Sequence, residues 1–178
     1  CSNLGLYLEF NDCAFNSNIS LTNLSHPIFT STCDISHNVD LCNIAKIEFF
    51  HDVNIYRDDI NIDISTNPNV EYPYYWEGFT QVVFHNSFQR PLRFSLVNGS
   101  SAKVFFRSGL DYGKDGVLYE LPANVTLECI NSFIRGSIRV AGTLILSNSF
   151  VKGEIVSNGG LVDFKNQRAS QIYNDTNL

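Results

Sequence analysis

The sequence contains no methionine and only one tryptophan among its 178 residues. A natural reading frame begins with Met, so this absence predicts a processed chain or a piece of a longer one. No apolar run reaches about 18 residues, the length a membrane-spanning helix needs. No basic segment followed by an apolar stretch marks a signal peptide. Helical periodicity is missing as well, with no capped amphipathic stretch. A phosphate loop opening a helix is thereby excluded, because there is no helix to open. Basic residues are few: Lys and Arg number 12 against 18 Asp and Glu, for a net charge of −6. A nucleic-acid partner would need a basic footprint, so none is expected. An anionic membrane surface is disfavoured on the same ground. The cysteines Cys1, Cys13, Cys33, Cys42 and Cys129 form no C-x-x-C pair, and no paired His accompanies them. No zinc or other metal site is expected, and no cofactor. Five is odd, so not all can pair within one chain. Cys33 and Cys42 could close a small loop as a disulfide; buried free thiols are the alternative.

What is present is a repeat. The length suits one domain over residues 1–178, and 44% hydrophobic against 17% charged residues describes a globular chain. Leu127-Glu128-Cys129-Ile130-Asn131-Ser132-Phe133-Ile134-Arg135-Gly136 is matched by Leu144-Ile145-Leu146-Ser147-Asn148-Ser149-Phe150-Val151-Lys152-Gly153, 17 positions later. Looser copies start at 8, 28, 47, 82, 104 and 161, mostly 17 to 23 apart. The gap from 47 to 82 leaves room for one degenerate turn.

Each unit reads apolar-x-apolar, then a polar corner, then another apolar residue. The alternation marks a half-buried strand. The corner is Asp12, Thr32, His51, Asn86, Ser108, Asn131, Asn148 or Asn166. Asn tolerates left-handed backbone geometry, and its amide can bond to its equivalent in the next copy. Phe10, Phe49, Phe84, Phe106, Cys129, Leu146 and Phe164 would stack in one column. A unit of this length is too short for a strand–helix–strand crossover. It is long enough for two or three short strands, which must stack to bury their apolar face. The expected fold is all-β, a right-handed parallel β-helix of about eight rungs. An antiparallel β-sandwich is the alternative; it explains the alternation but not the recurrence of Asn-Ser-Phe in register.

With these motifs the chain resembles the pectin-lyase-like right-handed β-helix superfamily. Gly142-Thr143-Leu144-Ile145-Leu146-Ser147-Asn148-Ser149 is similar to rungs of bacterial autotransporter passengers and related adhesins. Asn158-Gly159-Gly160-Leu161-Val162-Asp163-Phe164-Lys165-Asn166 is similar to repeats of polymorphic outer-membrane proteins. The likeness covers residues 125–166 and concerns turns and core, not chemistry.

Two segments are candidates for function. His51-Asp52 with Arg57-Asp58-Asp59 is the densest group of acids, and paired carboxylates can divide acid and base roles across a glycosidic bond. The adjacent Asp58 and Asp59 resemble the paired aspartates of polygalacturonase-like enzymes, although Gly-His-Gly and Arg-x-Lys signatures are missing. A solvated turn is the plainer reading. Tyr72-Pro73-Tyr74-Tyr75-Trp76-Glu77-Gly78-Phe79 holds both Pro and Gly, and reads as part of an excursion over 66–80. Tyr72, Tyr74, Tyr75 and Trp76 could stack on sugars or anchor a protein interface, or fold back to cover the coil. Asp111 to Gly116 reads as a plain turn. The histidines at 26, 37, 51 and 85 read as unrelated surface or structural imidazoles.

Asn-x-Ser/Thr sequons at Asn18, Asn23, Asn98, Asn124 and Asn174 are compatible with a secreted glycoprotein. The expected function is a non-catalytic β-solenoid, extracellular or on a cell or virion surface. It would act in adhesion, in recognition of a carbohydrate or protein surface ligand, or structurally within a longer chain or homo-oligomer. The alternative is a polysaccharide-degrading enzyme, a hydrolase, lyase or tailspike-like depolymerase, with Asp52, Asp58 and Asp59 as its acids.

Overall fold

A computed structural model of the chain describes residues 7–50, 53–57, 60–69, 76–85, 87, 92–97, 99–107, 110–165 and 176–177. The described residues are all-β, and every strand pairing is parallel. The longest sheet runs through the whole repeat. Its eight strands, in order, are β1 (Tyr7–Asn11), β4 (His26–Ser31), β7 (Lys46–Phe49), β10 (Thr80–Phe84), β12 (Ala102–Phe106), β15 (Val125–Ile130), β18 (Thr143–Ser147) and β21 (Leu161–Lys165). The chain is a β-solenoid of about seven turns. The sandwich alternative is excluded, because it requires antiparallel pairs.

The other two faces are each built in two blocks. Among the described residues, two-residue strands form β2 (Ala14–Phe15), β5 (Asp34–Ile35) and β8 (Asn54–Ile55), then separately β13 (Asp111–Tyr112), β16 (Phe133–Ile134) and β19 (Phe150–Val151). The third face holds β3 (Ile19–Thr22), β6 (Val39–Cys42), β9 (Ile60–Ser65) and β11 (Leu92–Leu96). It resumes as a distinct sheet of β14 (Leu118–Leu121), β17 (Ser137–Val140), β20 (Ile155–Ser157) and β22 (Thr176–Asn177). No ladder joins β11 to β14.

The apolar alternation points inward and stacks in columns. Phe10, Phe29, Phe49, Phe84, Phe106, Cys129, Leu146 and Phe164 occupy equivalent register positions on successive rungs. The first rings lie parallel, with centroids 4.7 Å apart from Phe10 to Phe29, 5.1 Å from Phe29 to Phe49 and 4.8 Å from Phe49 to Phe84. Phe84 meets Phe106 edge-on at 5.8 Å. Offset and edge-on contacts are the arrangements the ring quadrupoles favour.

The corners behave as their residue types require. Asp12, Thr32, Asn131 and Asn148 all have positive φ, between 47° and 55°. Asn148 Nδ2 donates to Asn131 Oδ1 at 2.6 Å, the ladder expected of stacked amides. A second ladder runs on another corner. Asn43 is fully buried with φ 51°; its Nδ2 donates to Asn23 Oδ1 at 3.0 Å, and its Oδ1 accepts from the Asn67 N–H at 2.8 Å. The corner positions His51, Asn86, Ser108 and Asn166 lie outside the described residues. Close approach explains Gly142: a Cβ there would sit 2.1 Å from the Val125 carbonyl oxygen.

Three readings of the repeat need correction. Val82 pairs directly with Ile47, so no degenerate turn lies between them; residues 66–79 connect β9 to β10, and positions 70–75 of the segment expected as an excursion over 66–80 lie outside the described residues. Leu8 pairs with Pro27 rather than Ile28, which brings Phe29 into the aromatic column. The pairing of β1 with β4 shifts register between Phe10 and Asn11, and this bulge displaces the sequence match by one residue. Leu144 pairs with Val162, so the last copy also begins one residue later than its sequence suggests.

Candidate functional site

Two places on the outer surface depart from a plain stack of rungs. The first is on the long sheet. Glu48 lies on the outward side of β7, yet it is only 8% exposed. Lys46, two residues earlier on the same side, bonds its Oε1. His26, on the preceding rung, places Nε2 3.6 Å from Oε1, and His85, beyond β10, places Nε2 3.4 Å from Oε2. The His85 ring stacks on Phe50 with centroids 4.6 Å apart. A hollow of about 160 Å³, lined in part by Ser25, Glu77 and Gln81, opens beside the group.

Electrostatics decide what this cluster can do. Burial alone would raise the Glu48 carboxyl, but the Lys46 hydrogen bond and the charges of Lys46, His26 and His85 outweigh it and hold it below the usual carboxylate range. Burial, then the Lys46 charge, push the His26 imidazole below its ordinary value, against the pull of Glu48. An anionic, clamped carboxylate is a poor proton donor at neutral pH. Its geometry suits a clip across three successive rungs.

The second place is the break in the third face. Between β11 and β14 lies a cleft of about 520 Å³. Its floor is inward-facing and apolar, with Phe94, Val117 and Tyr119; its rim is outward-facing and mixed, with Arg93, Ser95 and Glu120 beside the exposed Leu118. The rim is held from behind. Arg139 Nη1 donates to Glu120 Oε1 at 2.8 Å, and Ser95 Oγ donates to Asn61 Oδ1 at 3.0 Å. The Leu92 N–H, at the start of the open edge of β11, donates to the Tyr112 hydroxyl at 3.3 Å. The Tyr119 hydroxyl accepts the Lys114 N–H at 2.6 Å.

No family model, curated protein or solved structure matches this chain. Asp52, Asp58, Asp59, Tyr72, Tyr74, Tyr75, Asn98 and Asn174 lie outside the described residues. Trp76 is half-buried. Among the sequon residues, Asn18 and Asn124 are exposed, whereas Asn23 is committed to the corner ladder as an acceptor.

Cys33 and Cys42 are unbridged. Cys33 is buried at a corner, where its thiol donates to the Phe10 carbonyl at 3.2 Å, while Cys42 ends β6 on another face. Of the two alternatives, disulfide or free thiols, the structure has free thiols: β5 and β6 take up the chain between the two residues and pair with other rungs.

Asp40 and Asp63 form a carboxylate pair that sequence reading did not find. They are register partners on β6 and β9. Burial, then the charge and hydrogen bond of Asp40, raise the Asp63 carboxyl, although Asn61 Nδ2 donates to it at 2.6 Å. The His26–Glu48–His85 group was missed for a related reason. Two of its members are far apart in sequence, and parallel register alone brings them to one carboxylate. The usable signal was parity: His26, Lys46 and Glu48 all fall on outward positions of their strands.

Proposed function

We propose that this chain acts by recognition, as a rigid β-solenoid outside the cell or on a cell or virion surface, binding a carbohydrate or protein surface ligand. The observation that carries this reading is the cleft between β11 and β14, a concave site with an apolar floor, a rim that mixes polar groups with Leu118, and a volume within the range of ligand pockets. Its polar groups are positioned by hydrogen bonds from neighbouring rungs, which lowers the ordering cost of binding. Stacked rungs supply a stiff support for such a site.

Catalysis on polysaccharides is less well supported by the described residues. Glycoside hydrolysis needs two carboxyl groups roughly 5 Å or more apart with room for sugar between them. Asp40 and Asp63 instead sit side by side as register partners on adjacent strands, and Glu48 is clamped by Lys46.

The test is to present the purified chain to immobilised glycans, to intact and protease-treated cell surfaces, and to soluble polysaccharides with reducing ends monitored. Saturable binding without release of reducing ends is expected. Steady release that disappears in Asp52→Asn, Asp58→Asn or Asp59→Asn would overturn the reading in favour of a polysaccharide-degrading enzyme.

A further inference from the structure

Cys13 and Cys33 occupy the same corner on the first two described rungs. Ala14 and Asp34, the residues that follow them, are register partners, and the Asp34 N–H donates to the Cys13 carbonyl at 2.8 Å. One ladder spacing, about 4.8 Å, therefore separates the two residues. A disulfide requires Cα atoms about 4.4–6.8 Å apart. The thiols also converge. Cys13 Sγ donates to the Asn11 carbonyl and Cys33 Sγ to the Phe10 carbonyl, each at 3.2 Å. These carbonyls are consecutive on β1, so Cys33 reaches back one rung to the level of Cys13. Burial raises the Cys33 thiol, the Cys13 backbone draws it down, and the Cys13 thiol adds a smaller upward push.

The same corner farther along the coil shows what a simple hydrogen-bond donor does there. Cys13 and Cys33 each follow a residue of positive φ, as Ser132 and Ser149 follow Asn131 and Asn148. Ser149 Oγ donates to the carbonyl two residues back at 2.9 Å, as Cys13 does. Ser132 Oγ donates to the Phe106 carbonyl of the preceding rung at 3.2 Å, as Cys33 does to that of Phe10. A hydroxyl thus satisfies this corner without sulfur. What two stacked cysteines add is the capacity to join.

We propose that Cys13 and Cys33 are a disulfide-forming pair, oxidised by a low-molecular-weight disulfide so that the first described rung is tied to the second. Cys13 is half-buried and Cys33 buried, so Cys13 meets the oxidant first. Its thiolate attacks one sulfur of the small disulfide, forming a mixed disulfide and releasing one small thiolate. That thiolate takes the Cys33 proton. Cys33 sulfur then attacks the Cys13 sulfur, forming the Cys13–Cys33 bond and releasing the second small thiol. Two protein thiols are oxidised and one small disulfide is reduced to two thiols. Such oxidants belong to the extracellular and secretory compartments where disulfides persist. The pair is independent of any ligand the chain takes.

The whole chain, purified with its thiols reduced, is incubated folded with oxidised glutathione, quenched with acid, alkylated in urea and digested for mass spectrometry. A linked Cys13–Cys33 peptide, two hydrogens lighter than its parts, is expected from the parent and not from Cys13→Ser or Cys33→Ser. In the reduced chain Cys33 is alkylated once urea unfolds it; in the oxidised chain it resists until a reductant is added. Oxidation should raise the urea midpoint of the parent by about 1 M. It should slow amide exchange in β1 and β3 by roughly tenfold or more, because a terminal rung opens first. Both serine variants should show neither change. A Cys33 that remains a thiol, whether Cys13 is a thiol or carries glutathione, overturns the proposal. So does Cys33 joined to any other cysteine, or a link formed only after unfolding. A link that leaves exchange in β1 and β3 unchanged overturns its role as a tie between rungs.

Discussion

Replacing Phe49 by Ala is the sharpest probe of the aromatic column. Phe49 is 1% exposed, and its ring lies between Phe29 at 5.1 Å and Phe84 at 4.8 Å, nearly parallel to both. Truncating a buried Phe costs about 3–5 kcal/mol. Both faces of this ring are stacked, and flanking rungs held by backbone ladders have little freedom to collapse, so about 4–5 kcal/mol is expected. Phe49→Leu keeps most of the volume but loses two stacking contacts, each worth about 0.5–1.5 kcal/mol, for a total of about 1–3 kcal/mol. Phe133→Ala is the comparison: that ring stacks on Phe150 at 5.0 Å but is only half-buried, and about 1 kcal/mol is expected. Urea unfolding followed by circular dichroism reads all three. With a slope of about 2 kcal/mol per molar, Phe49→Ala moves the midpoint down by about 2 M. Hydrogen exchange should show the loss concentrated in the strands around β7, because rungs couple mainly to their neighbours. A Phe49→Ala cost no larger than that of Phe133→Ala would refute the continuous aromatic core.

Acid should weaken the fold in two stages. His26 and Glu48 both titrate lower folded than unfolded, so the unfolded chain binds more protons as pH falls. Stability is full above the ordinary His value of 6.5, declines below it, and declines again below the ordinary carboxyl value of 4.5; urea midpoints from pH 8 to pH 3 check this, and Glu48→Gln should flatten the lower stage. A midpoint that rises on acidification contradicts the assignment. Burial raises the thiols of Cys33 and Cys129, so neither should be alkylated in the folded chain and both should be alkylated in urea, as mass spectrometry of iodoacetamide-treated protein will show. Gly142→Ala sets a Cβ 2.1 Å from the Val125 carbonyl oxygen and 2.3 Å from that of Pro122, and should cost about 2 kcal/mol or more in the same unfolding assay. An unchanged midpoint would show that the rungs separate freely at that corner.

The sequence carried the fold well where copies are regular. Asn131 and Asn148 were legible as a corner ladder because nothing between them changes length. The column from Phe49 to Phe164 was legible because alternation fixes which side chains face inward. Phe29 was missed where a bulge after Phe10 shifts the match by one residue. The long connection from β9 to β10 hid the direct pairing of Ile47 with Val82, since extra residues and a worn rung look alike in a string of letters. The cleft left no local trace at all. It arises because β11 and β14 each pair with one neighbour and not with each other, which is a property of three-dimensional register. The Glu48 group was hidden in the same way, because its histidines sit on different turns of the coil.

The broken third face also has a mechanical meaning. A coil laddered on every side resists bending equally in all directions. Here the long sheet passes unbroken from β10 to β12, while no ladder joins β11 to β14. At that level the rod is a strip, the long sheet, with a notch between β11 and β14 on one flank and no ladder between the described strands β8 and β13 on the other. Load applied along it flexes the strip toward or away from the notch, opening or closing the gap, and the remaining flanks move as two stiff halves about that line. A molecule wedged into the notch would stiffen the whole rod, and tension on the rod would alter the grip on that molecule.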